Sequence, residues 1–144
     1  ENTMRKLICI AAVAAAALAS CGSSKVASDV AALNGEWTIV KVEGKTITKE
    51  DCENVPFLGF ETAKKNLYGN TGCNMLTGSL AGDLKNGKID FSQTGTTQML
   101  CADMKVEGMV LEALKKSKKY TINNNEMTLN DNGGNVVVVL KKTK

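Results

Sequence analysis

Five cysteines and no histidine set the limits of the chemistry open to this 144-residue chain. Without histidine, neither a Ser-His-Asp nor a Cys-His nucleophile can be assembled, and the commonest general base and zinc ligand is missing. A carboxylate pair could still act as acid and base, but Asp51, Glu53 and Glu61 fall in or beside loops at spacings that force no convergence. No catalytic residue is therefore expected. Sulfur makes a sharper case, because Cys73, Met75, Met99, Cys101 and Met104 would offer soft ligands to Cu(I) if the thiols were reduced. The glycine-bearing stretches Gly69-Asn70-Thr71-Gly72 and Gly133-Gly134 open no helix with a Lys-Ser/Thr terminus, so they read as turns and not as phosphate cradles.

The redox state of those sulfurs is decided near the start of the chain. Arg5 and Lys6 precede an uncharged apolar run, Leu7 to Leu18, which closes on Leu18-Ala19-Ser20-Cys21. A basic segment, a short apolar stretch and small residues before a cysteine have the layout of a bacterial secretory signal whose cleavage site resembles a lipobox. The run is too short to span a bilayer as a helix, which takes about 20 residues. Residues 1–20 are thus expected to be removed, with Glu1–Thr3 an upstream remnant before Met4, and Cys21 to be acylated. Cys9 leaves with the signal, so Cys52, Cys73 and Cys101 remain in a compartment where disulfides persist. Cys52 sits in a polar, acidic loop, whereas Cys73 and Cys101 are flanked by strand-like sequence, and these two are the expected pair. A disulfide would consume both thiolates, leaving Met75 and Met104 as core fillers and no metal or cofactor site.

Cleavage before Cys21 leaves enough chain for one domain, and residues 21–32, small and polar, read as a flexible lipidated tether. Stable attachment needs two acyl chains or two signals, a condition that a diacylated or triacylated cysteine meets alone. The whole chain carries +3, and loss of Glu1, Arg5 and Lys6 leaves a nearly neutral protein. Lysines at 115, 116, 118 and 119 and at 141, 142 and 144 read as a solvated helix end and a frayed terminus. The low aromatic content and the export signal speak against nucleic acid. The expected partners are a membrane, through the N-terminal lipid, and an envelope protein; the expected state is a monomer, facing the periplasm from the outer membrane.

The elements that must position the sulfurs are mostly strands. Turn residues recur at short intervals, and segments 36–42, 46–48, 56–62, 66–69, 73–81, 89–92, 94–100, 119–123, 126–130 and 135–142 have strand character. Asn86-Gly87 reads as a hairpin turn into Ile89. The one departure is 103–116, where Val106, Met109, Val110, Ala113 and Leu114 form a helical stripe, with Asp103 placed as cap and Glu112 four residues before Lys116. The expected fold is mainly β (α+β): a small antiparallel curled sheet or barrel of seven or eight short strands, with the helix over an open end or face. Trp37 is expected in the core, and Asn74, beside Thr97, is expected to bond backbone in an irregular strand.

From Leu33 to Lys142 the chain resembles the META domain group, the heat-shock-protein HslJ-like lipoproteins. The resemblance rests on an ordered set. Leu33-Asn34-Gly35-Glu36-Trp37 comes first, then Gly69-Asn70-Thr71-Gly72-Cys73-Asn74, then Thr96-Thr97-Gln98-Met99-Leu100-Cys101, then the helix with Glu107 and Leu111–Leu114, then Tyr120 and Leu129. It implies a compact, mainly β domain over residues 33–144 with one helix, commonly exported and lipid-anchored, with the two motif cysteines paired and an association with envelope stress and antibiotic tolerance. Cys52 belongs to no part of that pattern. The function expected is a non-enzymatic binding or scaffolding module, with a carrier of a small hydrophobic ligand or copper handling as rivals.

Overall fold

The computed structural model describes residues 29–143; the signal segment, the lipidation position Cys21 and tether residues 22–28 lie outside the described residues. Nine antiparallel strands form one curled, unclosed sheet. They are β1 (Gly35–Val42), β2 (Lys45–Thr46), β3 (Phe57–Glu61), β4 (Asn66–Asn70), β5 (Met75–Ser79), β6 (Thr94–Thr96), β7 (Lys119–Asn123), β8 (Glu126–Asn130) and β9 (Val136–Lys142). The order across the sheet is β6-β5-β4-β3-β1-β9-β8-β7, with β2 on β1. The excess over seven or eight lies in β2 and β6, two and three residues long.

Strand register gives this sheet two ends. Gly35 lies opposite Phe60, Glu61 opposite Asn66, and Asn66 opposite Ser79, which groups the start of β1 with the β3–β4 turn. The chain enters at this end. At the other end of the same strands, Phe57, Asn70 and Met75 stand in register beside the β4–β5 turn. Helix α2 (Lys105–Lys116) crosses this second end, from the β4–β5 turn to Glu43 in the β1–β2 turn, where Lys116 Nζ reaches Glu43 Oε1 at 2.7 Å. Its stripe of Val106, Val110, Ala113 and Leu114 is buried against the sheet interior.

That interior is filled by side chains. Trp37, Ile39, Leu58, Phe60, Leu67, Met127, Leu129 and Leu140 are all essentially without solvent contact. In β1, strict alternation would put Val42 on the face opposite Trp37 and Ile39. A bulge between Ile39 and Lys41 resets the phase, so Val42 also points inward.

Several local expectations are corrected. Asn86-Gly87 does not make a hairpin: Leu84–Asn86 is a 3₁₀ turn, Gly87 closes it at φ 70°, and Asp83 O accepts from both Asn86 N and Lys88 N. Residues 89–92 then form no strand, because Ile89 N bonds Lys118 O on one side and Asp90 N bonds Ala81 O on the other. The tether reading overreaches, since Asp29 caps a single helical turn, α1 (Val30–Leu33), that inserts Leu33 into the core. Helix α2 starts at Lys105, not Asp103, whose carboxylate accepts from Lys105 N in a local turn instead of capping the helix. Glu112 pairs with Lys115, not Lys116. Met75 is half exposed and not a core filler, because the β5 register sends its neighbour Leu76 inward.

Candidate functional site

The two cysteines named from sequence meet at the helix-capped end. Cys73 and Cys101 form a disulfide with Cα atoms 6.0 Å apart, tying the β4–β5 turn to the loop that leads into α2. Between them stands Asn74, 3% exposed, with every polar atom of its side chain used. Its Oδ1 accepts from Met99 N at 2.7 Å and Thr97 Oγ1 at 2.8 Å, and its Nδ2 donates to Met99 O at 3.2 Å and Glu107 Oε1 at 3.0 Å. Residues 98–100 therefore leave the ladder, and β6 stops at Thr96 where the sequence suggests strand to Leu100, because the Asn74 amide takes over the main-chain groups of Met99.

Glu107 completes the arrangement, and its role is the part that sequence reasoning missed. Its carboxylate is buried in the first turn of α2. Oε2 accepts from Thr71 Oγ1 at 2.6 Å, Cys73 N at 3.1 Å and Asn74 N at 3.2 Å, while Oε1 holds Asn74 Nδ2. Burial pushes the carboxyl upward in pKa, but the bonds from Thr71, Asn74 and Cys73 together outweigh it, and the group titrates below the ordinary glutamate value. The approach depends on Gly72, held at φ 119°, where a Cβ would lie 3.2 Å from Val106 Cγ1 and 3.3 Å from Glu107 N. A signal did exist in the sequence: Glu107 lies on the apolar face, three residues before Val110 and seven before Leu114, where a solvated acid has no place.

The loop of the third cysteine leans on the same structure. Asn54 N donates to Gly72 O at 3.1 Å, and Ala102 N donates to Glu53 Oε1 at 3.2 Å, so residues 53–54 touch the neighbours of both bridged cysteines. Cys52 is a free thiol, partly buried, whose Sγ–H faces Thr48 O; burial and then the Asp51 charge push its pKa up. That environment makes a poor nucleophile. Asp51, Glu53 and Glu61 do not converge: Asp51 bonds Thr48, Glu53 bonds Ala102, and Glu61 bonds Asn66 and Lys64 at the chain-entry end. Among the described residues, no group of three or more cysteine and acidic side chains could hold a metal ion.

Among the side chains this end presents outward, beside Thr97 and Gln98, are three large apolar ones. Met75, Met99 and Leu100 are 48%, 59% and 95% exposed, three of the four large hydrophobic side chains exposed among the described residues. Two grooves run along α2 here. One of about 380 Å³ is lined by Leu76, Phe91, Thr96, Leu111 and Leu114 among others, and one of about 460 Å³ by Asn74, Thr96, Met99, Leu100, Met104 and Leu111 among others. They meet at Thr96 and Leu111.

Fold and site together define a mainly β domain, a curled antiparallel sheet closed at one end by a helix that is latched through a buried glutamate and braced by a disulfide. The chain belongs to the META domain family, whose model matches residues 29–144. No curated protein matches it. Among solved structures, a protein from Burkholderia xenovorans determined by NMR is similar at a TM-score of 0.61 and 22% identity, over 80% of this chain and 86% of that one. A DUF4847 family protein from Bacteroides vulgatus ATCC 8482 is similar at a TM-score of 0.55 and 14% identity, over 78% and 94%. A further NMR structure aligns at 0.57 and 22%, over 76% and 89%. At these identities the likeness concerns the fold alone.

Proposed function

We propose that this protein is a lipid-anchored, non-catalytic binding module of the bacterial cell envelope, held to the membrane through Cys21 and serving envelope maintenance under stress or antibiotic challenge. The observation that carries the reading is what the buried site does with its chemistry. Glu107, the one buried carboxylate among the described residues, has both oxygens occupied by donors from the loop it holds. It is a structural acceptor for four donors of that loop. Cys73 and Cys101 are likewise bridged and offer no thiolate to a metal. The same loop displays Met99 and Leu100 to solvent on a braced backbone, which is how a docking surface is built.

The carrier reading finds less support, since the core is filled by Trp37, Phe60 and their neighbours, and the grooves lie outside it. Intact mass of protein extracted from membranes tests the anchor and the bridge at once. The expected result is acyl mass on a chain beginning at Cys21 and a deficit of two hydrogen atoms for the disulfide. A chain without acyl mass, recovered from the soluble fraction, would overturn the anchoring.

A further inference from the structure

Beyond the general binding role, and resting on it, we infer that the groove between β6 and α2 takes an extended peptide segment of a partner protein, which adds a strand to the free edge of β6 and sets alternate apolar side chains into the groove. Three observations converge on this occupant. The first is the edge itself. Ser79 N donates to Gln93 O and Thr97 N to Met75 O, so residues 93, 95 and 97 face β5 and the main-chain groups of Thr94 and Thr96 face outward. β6 is the terminal strand of the sheet, and an edge with unpaired N–H and C=O groups is a template for strand addition.

The second observation is the floor beside that edge. Leu76, Phe91, Leu111 and Leu114 line the first groove, and Met99, Leu100 and Met104 continue it past Thr96. Methionines adapt to varied apolar shapes. Leu100, 95% exposed, is fixed in position because Met99 N and O are both bonded to Asn74 and Cys101 is bridged. Lys115 and Lys118 stand with Asp90 at the Phe91 end, and at the other end the Glu107 carboxylate lines the groove while bonded to Thr71, Cys73 and Asn74. The segment that fits is therefore apolar at alternate positions and uncharged or acidic where it passes Phe91.

The third observation is where the chain enters. α1 and the start of β1 lie at the opposite end of the strands from Met75 and the 97–101 loop. From Cys21 to Asp29 the tether spans at most about 28 Å when fully extended. A bilayer reached through this tether lies nearer the chain-entry end, which Thr94 shares with Gly35 through the register, so it is the Met99–Leu100 end of the groove that favours a protein segment over lipid.

The test is NMR of the full chain, labelled and in detergent micelles, titrated with a synthetic ten-residue peptide of alternating valine and threonine carrying one terminal glutamate. The expected result is saturable shifts at Thr94–Thr96, Met99, Leu100, Leu111 and Leu114, and at least a tenfold weaker affinity when alternate peptide nitrogens are methylated. Methylation leaves the protein untouched, so the comparison holds even if a groove variant such as L111E fails to fold. No saturable binding, or binding insensitive to methylation, would overturn the proposal. So would shifts at the same residues on raising protein concentration without peptide, which would mark a second copy as the occupant, or on adding anionic vesicles, which would mark lipid. Acylation of Cys21, read by mass on the same sample, reports separately on the underlying role.

Discussion

The two ends of the sheet are closed by opposite means. At the chain-entry end, Leu33 and Trp37 are buried and Trp37 Nε1 donates to Leu33 O at 2.8 Å. Lys142 Nζ lies 4.4 Å from the Trp37 ring centroid while bonding Ala32 O and Asn34 O. An apolar plug is finished there by a cation that gathers loose carbonyls, and burial lowers the Lys142 pKa accordingly. At the helix-capped end a buried carboxylate gathers loose N–H groups, a disulfide braces the loop, and the apolar side chains point outward. Carbonyls left at the end of a helical turn suit a lysine, and amides in a tight turn facing a helix N-terminus suit a glutamate. The teaching is that one end is stabilised by what it hides, while the other invests a polar network so that it can expose Met99 and Leu100 in a fixed place.

Breaking the latch should have the largest effect. Glu107→Ala strips the acceptor from Thr71 Oγ1, Cys73 N, Asn74 N and Asn74 Nδ2, and a loss of about 4 kcal/mol is expected in urea unfolding. Opening the bridge by Cys73→Ala with Cys101→Ala, a sequence separation of 28, should cost about 3–4 kcal/mol in the chain-entropy account. Because Asn74 holds Met99 independently, amide exchange at Met99 should stay slow in that variant; full loss of protection would show that the disulfide alone orders the loop. At the opposite end, Lys142→Met keeps the stem over Trp37 but removes the charge, and about 1 kcal/mol is expected in the same unfolding assay. Leu100→Ser should change stability by less than about 0.5 kcal/mol, since the side chain buries nothing, yet it should weaken peptide binding in the titration above.

Much of this architecture was legible before any coordinates. The β2 to β9 succession, the helix stripe and the Cys73–Cys101 pair follow from turn residues, periodicity and the division of cysteines between polar loop and strand. What escaped was whatever depends on a residue bonding outside its own segment. The β6 strand ends at Thr96 because of Asn74, more than twenty residues away, and Ile89–Ser92 fails as a strand because its amides are shared between Ala81 and Lys118. Glu107 was visible as part of a family pattern, but its burial was not read from the stripe it interrupts. Asp103 has the right residue type for a cap and makes a local turn instead, which sequence spacing alone does not distinguish. The lipid anchor remains an expectation from residues 1–21.

The central claim is that an ionised Glu107 holds the helix to the loop, and it predicts a specific pH dependence. The group's folded pKa lies below the ordinary value of 4.5, so the unfolded chain takes up the proton first as pH falls. The stability it contributes is fully present above about pH 4.5 and is lost as pH drops through the folded pKa. Asp51, Glu61, Asp90, Glu112 and Asp131 also titrate below their usual values, so only a difference against Glu107→Gln isolates this one carboxylate. Glutamine supplies one acceptor and an NH₂ group to a site whose four partners all donate, and a deficit of about 1–3 kcal/mol is expected at pH 7. Urea unfolding of the wild type and E107Q from pH 7 to pH 3 is the measurement. The account predicts a gap that is constant down to about pH 4.5 and closes below it as the wild-type carboxyl becomes neutral; a gap of the same size at pH 3 and pH 7, or none at pH 7, would contradict it.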